Sequence, residues 1–211
     1  MTDCRKSWFT GPEPARGGHQ LRARSVRFEE PVGRRARSEA GGFARGVAER
    51  GLVLLLHLDP QRRGLVTDDV TRLLDQVFGP LPEIRLVIAH AGGSGGFGPW
   101  PRSVLETLAT WLEREAAAGR PRARVQVDLS TVPLIRESEG LPPSSEEEIA
   151  ALAPALRRLG LERVLFASDH PVFDPRDQAE FLRTRCGLTA AELATIFSGA
   201  AWGEEAANAD G

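Results

Sequence analysis

Cysteine is scarce: the 211 residues hold two, Cys4 and Cys186, and no C-x-x-C pair. That excludes a disulfide scaffold, a zinc ribbon and a dithiol redox motif. No apolar run approaches the roughly 20 residues of a membrane-crossing helix; the richest is Leu52-Val53-Leu54-Leu55-Leu56. The first residues lack the apolar stretch of a secretory signal, so a soluble, cytoplasmic protein with no membrane partner is expected. Neither sign of charge dominates, with 27 basic against 29 acidic side chains and a net of −2 at pH 7. No G-x-x-x-x-G-K-[ST] stretch occurs, so Gly92-Gly93-Ser94-Gly95-Gly96-Phe97-Gly98 reads as a tight turn beside a site, not as a phosphate cradle. Histidine is also rare, with four in the chain: His19, His57, His90 and His170.

What is present suits a globular chain: 41% hydrophobic residues and a mean hydropathy of −0.24. The charge is unevenly placed. Residues 1–50 carry 11 basic and 6 acidic side chains, a net of +5, against 16 and 23, a net of −7, in the remainder. The arginines of the first segment sit among Gly, Pro and Ser with no amphipathic period and few aromatics to stack bases. This predicts a poorly structured basic arm over 1–42 and no nucleic-acid partner. Within the arm, Ser25-Val26-Arg27-Phe28-Glu29 alternates like an edge strand. Phe43, Val47 and Ala48 then share a helix face that stops at Gly51.

From there the pattern is regular. Four short apolar runs, at 52–58, 84–89, 123–129 and 163–167, are separated by helical periodicity. Val70, Leu73, Leu74, Val77 and Phe78 form one helix face, with Thr67 as its expected N-cap and Gly79-Pro80 as its stop. Val104, Leu105, Leu108, Trp111 and Leu112 form a second face, closed by Gly119. Ser145 and Glu148 match a capping box before Ile149, Leu152, Leu156 and Leu159, with Pro154 expected to kink that helix. Asp174-Pro175 and Thr189-Ala190-Ala191-Glu192 open two further helices. Near-continuous apolar strands alternating with helices predict an α/β fold with a parallel sheet. The folded part is expected over 43–203, with a flexible tail over 204–211.

Polar groups close three of the strands: His57, His90 and Asp169. In parallel α/β folds the carboxyl ends of the strands form the ligand face, so these side chains are candidates to converge. Two imidazoles and a carboxylate make a ligand set for a divalent metal ion, zinc above all. The plainer alternatives stay open: a hydrogen-bonded core histidine in either case, and a turn-capping role for Asp169. Asp128 ends the remaining strand with no assigned role. Trp100 reads either as a pocket wall or as an aromatic packed under the glycine loop.

The stretches Leu86-Val87-Ile88-Ala89-His90-Ala91-Gly92-Gly93 and Arg163-Val164-Leu165-Phe166-Ala167-Ser168-Asp169-His170-Pro171 resemble the sixth and eighth strands of the amidohydrolase-related, metal-dependent TIM barrels. Gly46 to His57 resembles the helix and fifth strand, Val125 to Ser130 the seventh, and Glu192 to Ala201 the closing helix. The resemblance covers about 43–202 and implies a partial TIM-barrel-like parallel sheet with outer helices, corresponding to strands 5–8. It implies a hydrolase using metal-activated water on a carbonyl-like carbon of a small-molecule substrate, with His57 and His90 as ligands and Asp169 at the metal handling the proton of the water. The family also contains decarboxylases of carboxylic acids, for which Arg102 or Arg136 would hold the substrate carboxylate. The family's first-strand His-x-His pair does not occur in this sequence. That departure implies a truncated, weakly active or inactive chain, or a non-catalytic fragment or binding subunit. An incomplete barrel leaves open edges, so a second copy or a complementary chain is expected as partner.

Overall fold

The computed structural model describes residues 23–27, 34–58, 65–119, 124–132 and 143–198. The element order is β1 (Ala23–Arg27), α1 (Arg34–Ala48), β2 (Val53–His57), α2 (Thr67–Leu73), β3 (Arg85–Ile88), α3 (Pro99–Ala117), β4 (Arg124–Asp128), α4 (Glu146–Leu159), β5 (Val164–Leu165), α5 (Pro175–Arg185) and α6 (Ala190–Phe197). All strand pairs are parallel and the sheet runs β1-β2-β3-β4-β5 in sequence order. That is the arrangement of consecutive units in a barrel; a doubly wound sheet would reverse its order midway.

Alternation along each strand divides the sheet into two faces. Leu54, Leu56, Leu86, Ile88, Val125, Val127 and Val164 join the main core with residues from α1 to α6. Val53, Val87 and Leu165, with Leu55 beside them, form a small separate cluster on the opposite face. Among the described residues no helix contributes to that second cluster. The helices therefore cover one face, and the strand residues of the other bury one another.

Local signals set most boundaries. In α4 the Glu148 amide donates to Ser145 Oγ at 3.2 Å and the Ser145 amide to Glu148 Oε2 at 2.7 Å, the reciprocal capping box. Thr189 and Glu192 repeat this at α6, and the Asp174 carboxylate accepts from the Arg176 amide at 2.8 Å at α5. Helix α4 runs through the exposed Pro154 as one element.

Elsewhere the structure departs from expectation. The basic arm contributes β1, two residues earlier than the alternation suggested, and the start of α1, well before Phe43. Strand β1 gains order by pairing with β2, a long-range term that composition does not reveal. Thr67 is the first residue of α2, not its cap; the Val66 amide is satisfied by Asp69 Oδ2 at 3.2 Å. Helix α2 then widens into a π-turn over Leu74–Phe78, where the Gly79 amide reaches back five residues to Leu74 O at 2.7 Å. The last strand is two residues long: a 3-10 turn at Leu161–Arg163 precedes it and, among the described residues, β4 alone pairs with it.

Candidate functional site

His57 is the last residue of β2, and its position two beyond Leu55 puts it on the sheet face away from the helices. His90 arrives by another route. After Ile88 the chain enters a 3-10 turn over Ala89–Gly92 in which His90 and Ala91 are left-handed, with φ of 55° and 51°. The turn brings the His90 ring against the His57 ring, with centroids 5.0 Å apart and planes inclined at 79°. Both side chains are half-buried.

The end of β4 supports this turn. One oxygen of buried Asp128, Oδ1, accepts from the His90 amide at 3.0 Å, from the Ser130 amide at 3.0 Å and from the Ser130 hydroxyl. His90 Nδ1 lies 2.8 Å from Ser130 Oγ, 3.0 Å from Ser130 O and 3.2 Å from Thr131 Oγ1. A ring nitrogen so engaged leaves coordination to Nε2.

Backbone strain marks the same end of the sheet without reference to side-chain type. Among the described residues the non-glycine positions with positive φ are His90, Ala91, Thr131 and Asp169, at 55°, 51°, 60° and 63°. All four follow the C-terminal ends of β3, β4 or β5. Each costs of order 1–3 kcal/mol and persists only where the surroundings hold it, a pattern that collects at functional sites.

The glycine segment closes one side. At Gly92, φ is +86° and a Cβ would meet Val104 Cγ1 at 2.4 Å, so only glycine fits. The amides of Gly93, Gly96 and Phe97 are consumed by His90 O, Thr131 O and Ser144 Oγ, so they are not arranged to cradle an anion. Trp100 donates its indole N–H to Gly92 O at 2.7 Å, pinning the loop from α3.

Of the residues named from the sequence, His57 and His90 are thus brought together. Asp169 stands beyond β5, with β4 between it and His90. Two touching imidazoles are the donor chemistry of a borderline divalent ion and fit as two of its ligands. Among the described residues no group of three or more His, Cys, Asp or Glu side chains could hold an ion. Arg102 is exposed in the first turn of α3, where it pairs with Glu106 at 3.1 Å. His170 is exposed in the turn after Asp169. His19 and Arg136 lie outside the described residues. Ser130 and Thr131 were not singled out from the sequence; the Asp-x-Ser spacing of a local side-chain turn was the available signal.

A family model described as amidohydrolase matches residues 15–202. Among solved structures, an amidohydrolase from Burkholderia multivorans with bound zinc superposes with a TM-score of 0.56 and 23% identity, over 87% of this chain and 64% of that one. The same protein with bound HEPES, in a second crystal form, gives 0.52 and 22%, over 81% and 60%. A 2,6-dihydroxybenzoate decarboxylase from Rhizobium is 14% identical, with a TM-score of 0.48, over 84% of this chain and 56% of its own. No curated protein sequence matches. The chain spans less than two thirds of the length of these solved structures. The sheet is a partial TIM-barrel-like one, with its helices outside.

Proposed function

Because the chain belongs to the amidohydrolase family, we propose that its strand-end site is that of a metal-dependent hydrolase acting on a carbonyl-like carbon of a small molecule. The observation that carries this reading is the contact between His57 and His90 at the ends of adjacent parallel strands. These two imidazoles would hold a divalent ion, with zinc the choice because the Burkholderia relative carries it. When bound, such an ion lowers the pKa of water and polarises a carbonyl. His90 is oriented by the end of β4, whose contacts engage Nδ1 and so leave Nε2 as the nitrogen for an ion. Asp169, the carboxylate beyond β5, is assigned the proton of the attacking water; among the described residues it does not complete a three-ligand group with the two imidazoles. The glycine loop and Trp100 form the rim that positions substrate and limits water.

Zinc titration of the purified protein, followed by calorimetry, tests the site. Saturable binding should weaken by more than about 100-fold in His57→Ala and in His90→Ala, beyond the roughly 10–100-fold that losing a supporting partner costs. Folded single variants that bind zinc as the parent does would overturn the assignment. Turnover of simple amides and lactones by the zinc-loaded chain tests the reaction. It should be slow, because the sequence has no His-x-His pair, and should vanish in His90→Ala.

A further inference from the structure

We infer that Asp128 and Ser130 are positioning residues that dictate which nitrogen of His90 carries the proton, and so aim the Nε2 lone pair at the site. The inference follows from the direction of each hydrogen bond and rests on the proposed metal reading only for its purpose. The carboxylate of Asp128 is an acceptor, so the Ser130 hydroxyl in contact with its Oδ1 must donate to it. With its proton committed there, Ser130 Oγ faces His90 Nδ1, 2.8 Å away, as an acceptor. The Ser130 carbonyl, 3.0 Å from the same nitrogen, can only accept. Two acceptors therefore converge on Nδ1, with the Thr131 hydroxyl, 3.2 Å away and able to accept or donate, as the third contact, and a neutral imidazole meets the two nearer groups only by carrying its proton on Nδ1. Nε2 is left unprotonated.

Asp128 Oδ1 does a second job. It accepts the amides of His90 and Ser130, both at 3.0 Å, across a sequence separation of 38 residues in the first case. The His90 amide bond holds the start of the left-handed pair His90-Ala91 against the end of β4. One buried oxygen thus sets both the backbone turn that presents the ring and the tautomer that the ring adopts. Acceptance, not charge, is what both jobs need, and asparagine supplies it.

Two-bond ¹H–¹⁵N spectra of the metal-free full chain test this, at a pH where the ring is neutral and with His90 assigned by the signals lost in His90→Gln. The expected pattern is Nδ1 protonated and Nε2 bare; the reverse tautomer at His90 overturns the inference. Asp128→Asn should keep the tautomer and keep zinc affinity within about threefold. Asp128→Ala should mix the tautomers and weaken zinc about 10–100-fold, the usual range for losing a partner of a ligating histidine. Ser130→Ala, which keeps the carbonyl acceptor, should fall between them. If Asp128→Asn behaves like Asp128→Ala, the acceptor role is wrong; if folded Asp128→Ala keeps the parent's tautomer, Asp128 has no part in setting it. A parent chain that shows the expected tautomer yet binds no zinc refutes the metal reading while leaving the positioning inference intact.

Discussion

At the scale of single residues, the chain tolerates least change where the backbone is left-handed or pressed against a neighbour. Gly92 combines both, with φ of +86° and a Cβ position 2.4 Å from Val104 Cγ1. Gly92→Ala should lose at least about 2 kcal/mol of stability, from conformational strain and overpacking together. Urea unfolding monitored by tryptophan fluorescence measures it; a loss under about 0.5 kcal/mol would mean the loop relaxes freely. Cys186 presents the opposite case, a buried thiol whose pKa burial pushes up to about 12. In a Cys4→Ser background it should resist thiol reagents at pH 8 until the protein unfolds, because the thiolate is the reacting form. Rapid labelling of the native protein would contradict its burial. His57 was legible as a site residue because it closes an apolar run. Ser130 was not, because its importance comes from His90, 40 residues away.

At the scale of elements, the helix starts were the most legible features, since a cap and its partner lie within three residues. Ser145→Ala should cost about 1 kcal/mol by denaturant unfolding, the common value for losing an N-cap acceptor. A result near zero would mean water replaces the hydroxyl. Glu192 caps α6 and meets Arg157, and its pKa is held down to about 2 from 4.5, first by the Arg157 guanidinium and next by the Thr189 amide. A depressed carboxylate favours the folded state fully above its unfolded pKa and loses that contribution as pH falls. The thermal midpoint of the parent should therefore fall between pH 5 and pH 2 more steeply than that of Glu192→Gln. Parallel curves for the two proteins would show that the pair adds nothing, the common fate of exposed ion pairs. The π-turn in α2 and the two-residue β5 were not legible, because both answer to packing and strand pairing rather than to local propensity.

At the scale of the whole molecule, the five-stranded sheet has helices on one face and ends at β1 and β5 among the described residues. Among the described residues no helix is long and apolar enough to cross a membrane. Parallel edge strands present unpaired backbone groups, and natural proteins cover them or pair them. Association with a second copy or a complementary chain is therefore proposed, and sedimentation of the purified chain should show species larger than its 22.9 kDa. A single sharp monomer across the concentration range would refute that. The parallel order itself was legible: near-continuous apolar runs such as Leu52–Leu56 suit strands whose two faces both avoid water. The edge strand in the basic arm was legible to within two residues from its alternation; its parallel register with β2, Ala23 against Val53 through Arg27 against His57, was not, because no local pattern specifies a partner 30 residues away.

The amino-acid sequence by itself determined the alternation of strands and helices, the caps of α4, α5 and α6, and the place of His57 at the end of β2. These depend on period and on neighbours a few residues apart, which the chain order alone specifies. Only the tertiary structure decided that His90 turns left-handed to meet His57, and that Asp128, Ser130 and Thr131 bind its backbone and ring across 38 to 41 residues. A left-handed histidine is unfavourable on its own and no local pattern announces it. It exists here because the end of β4, packed beside β3 in register, supplies the acceptors that hold it.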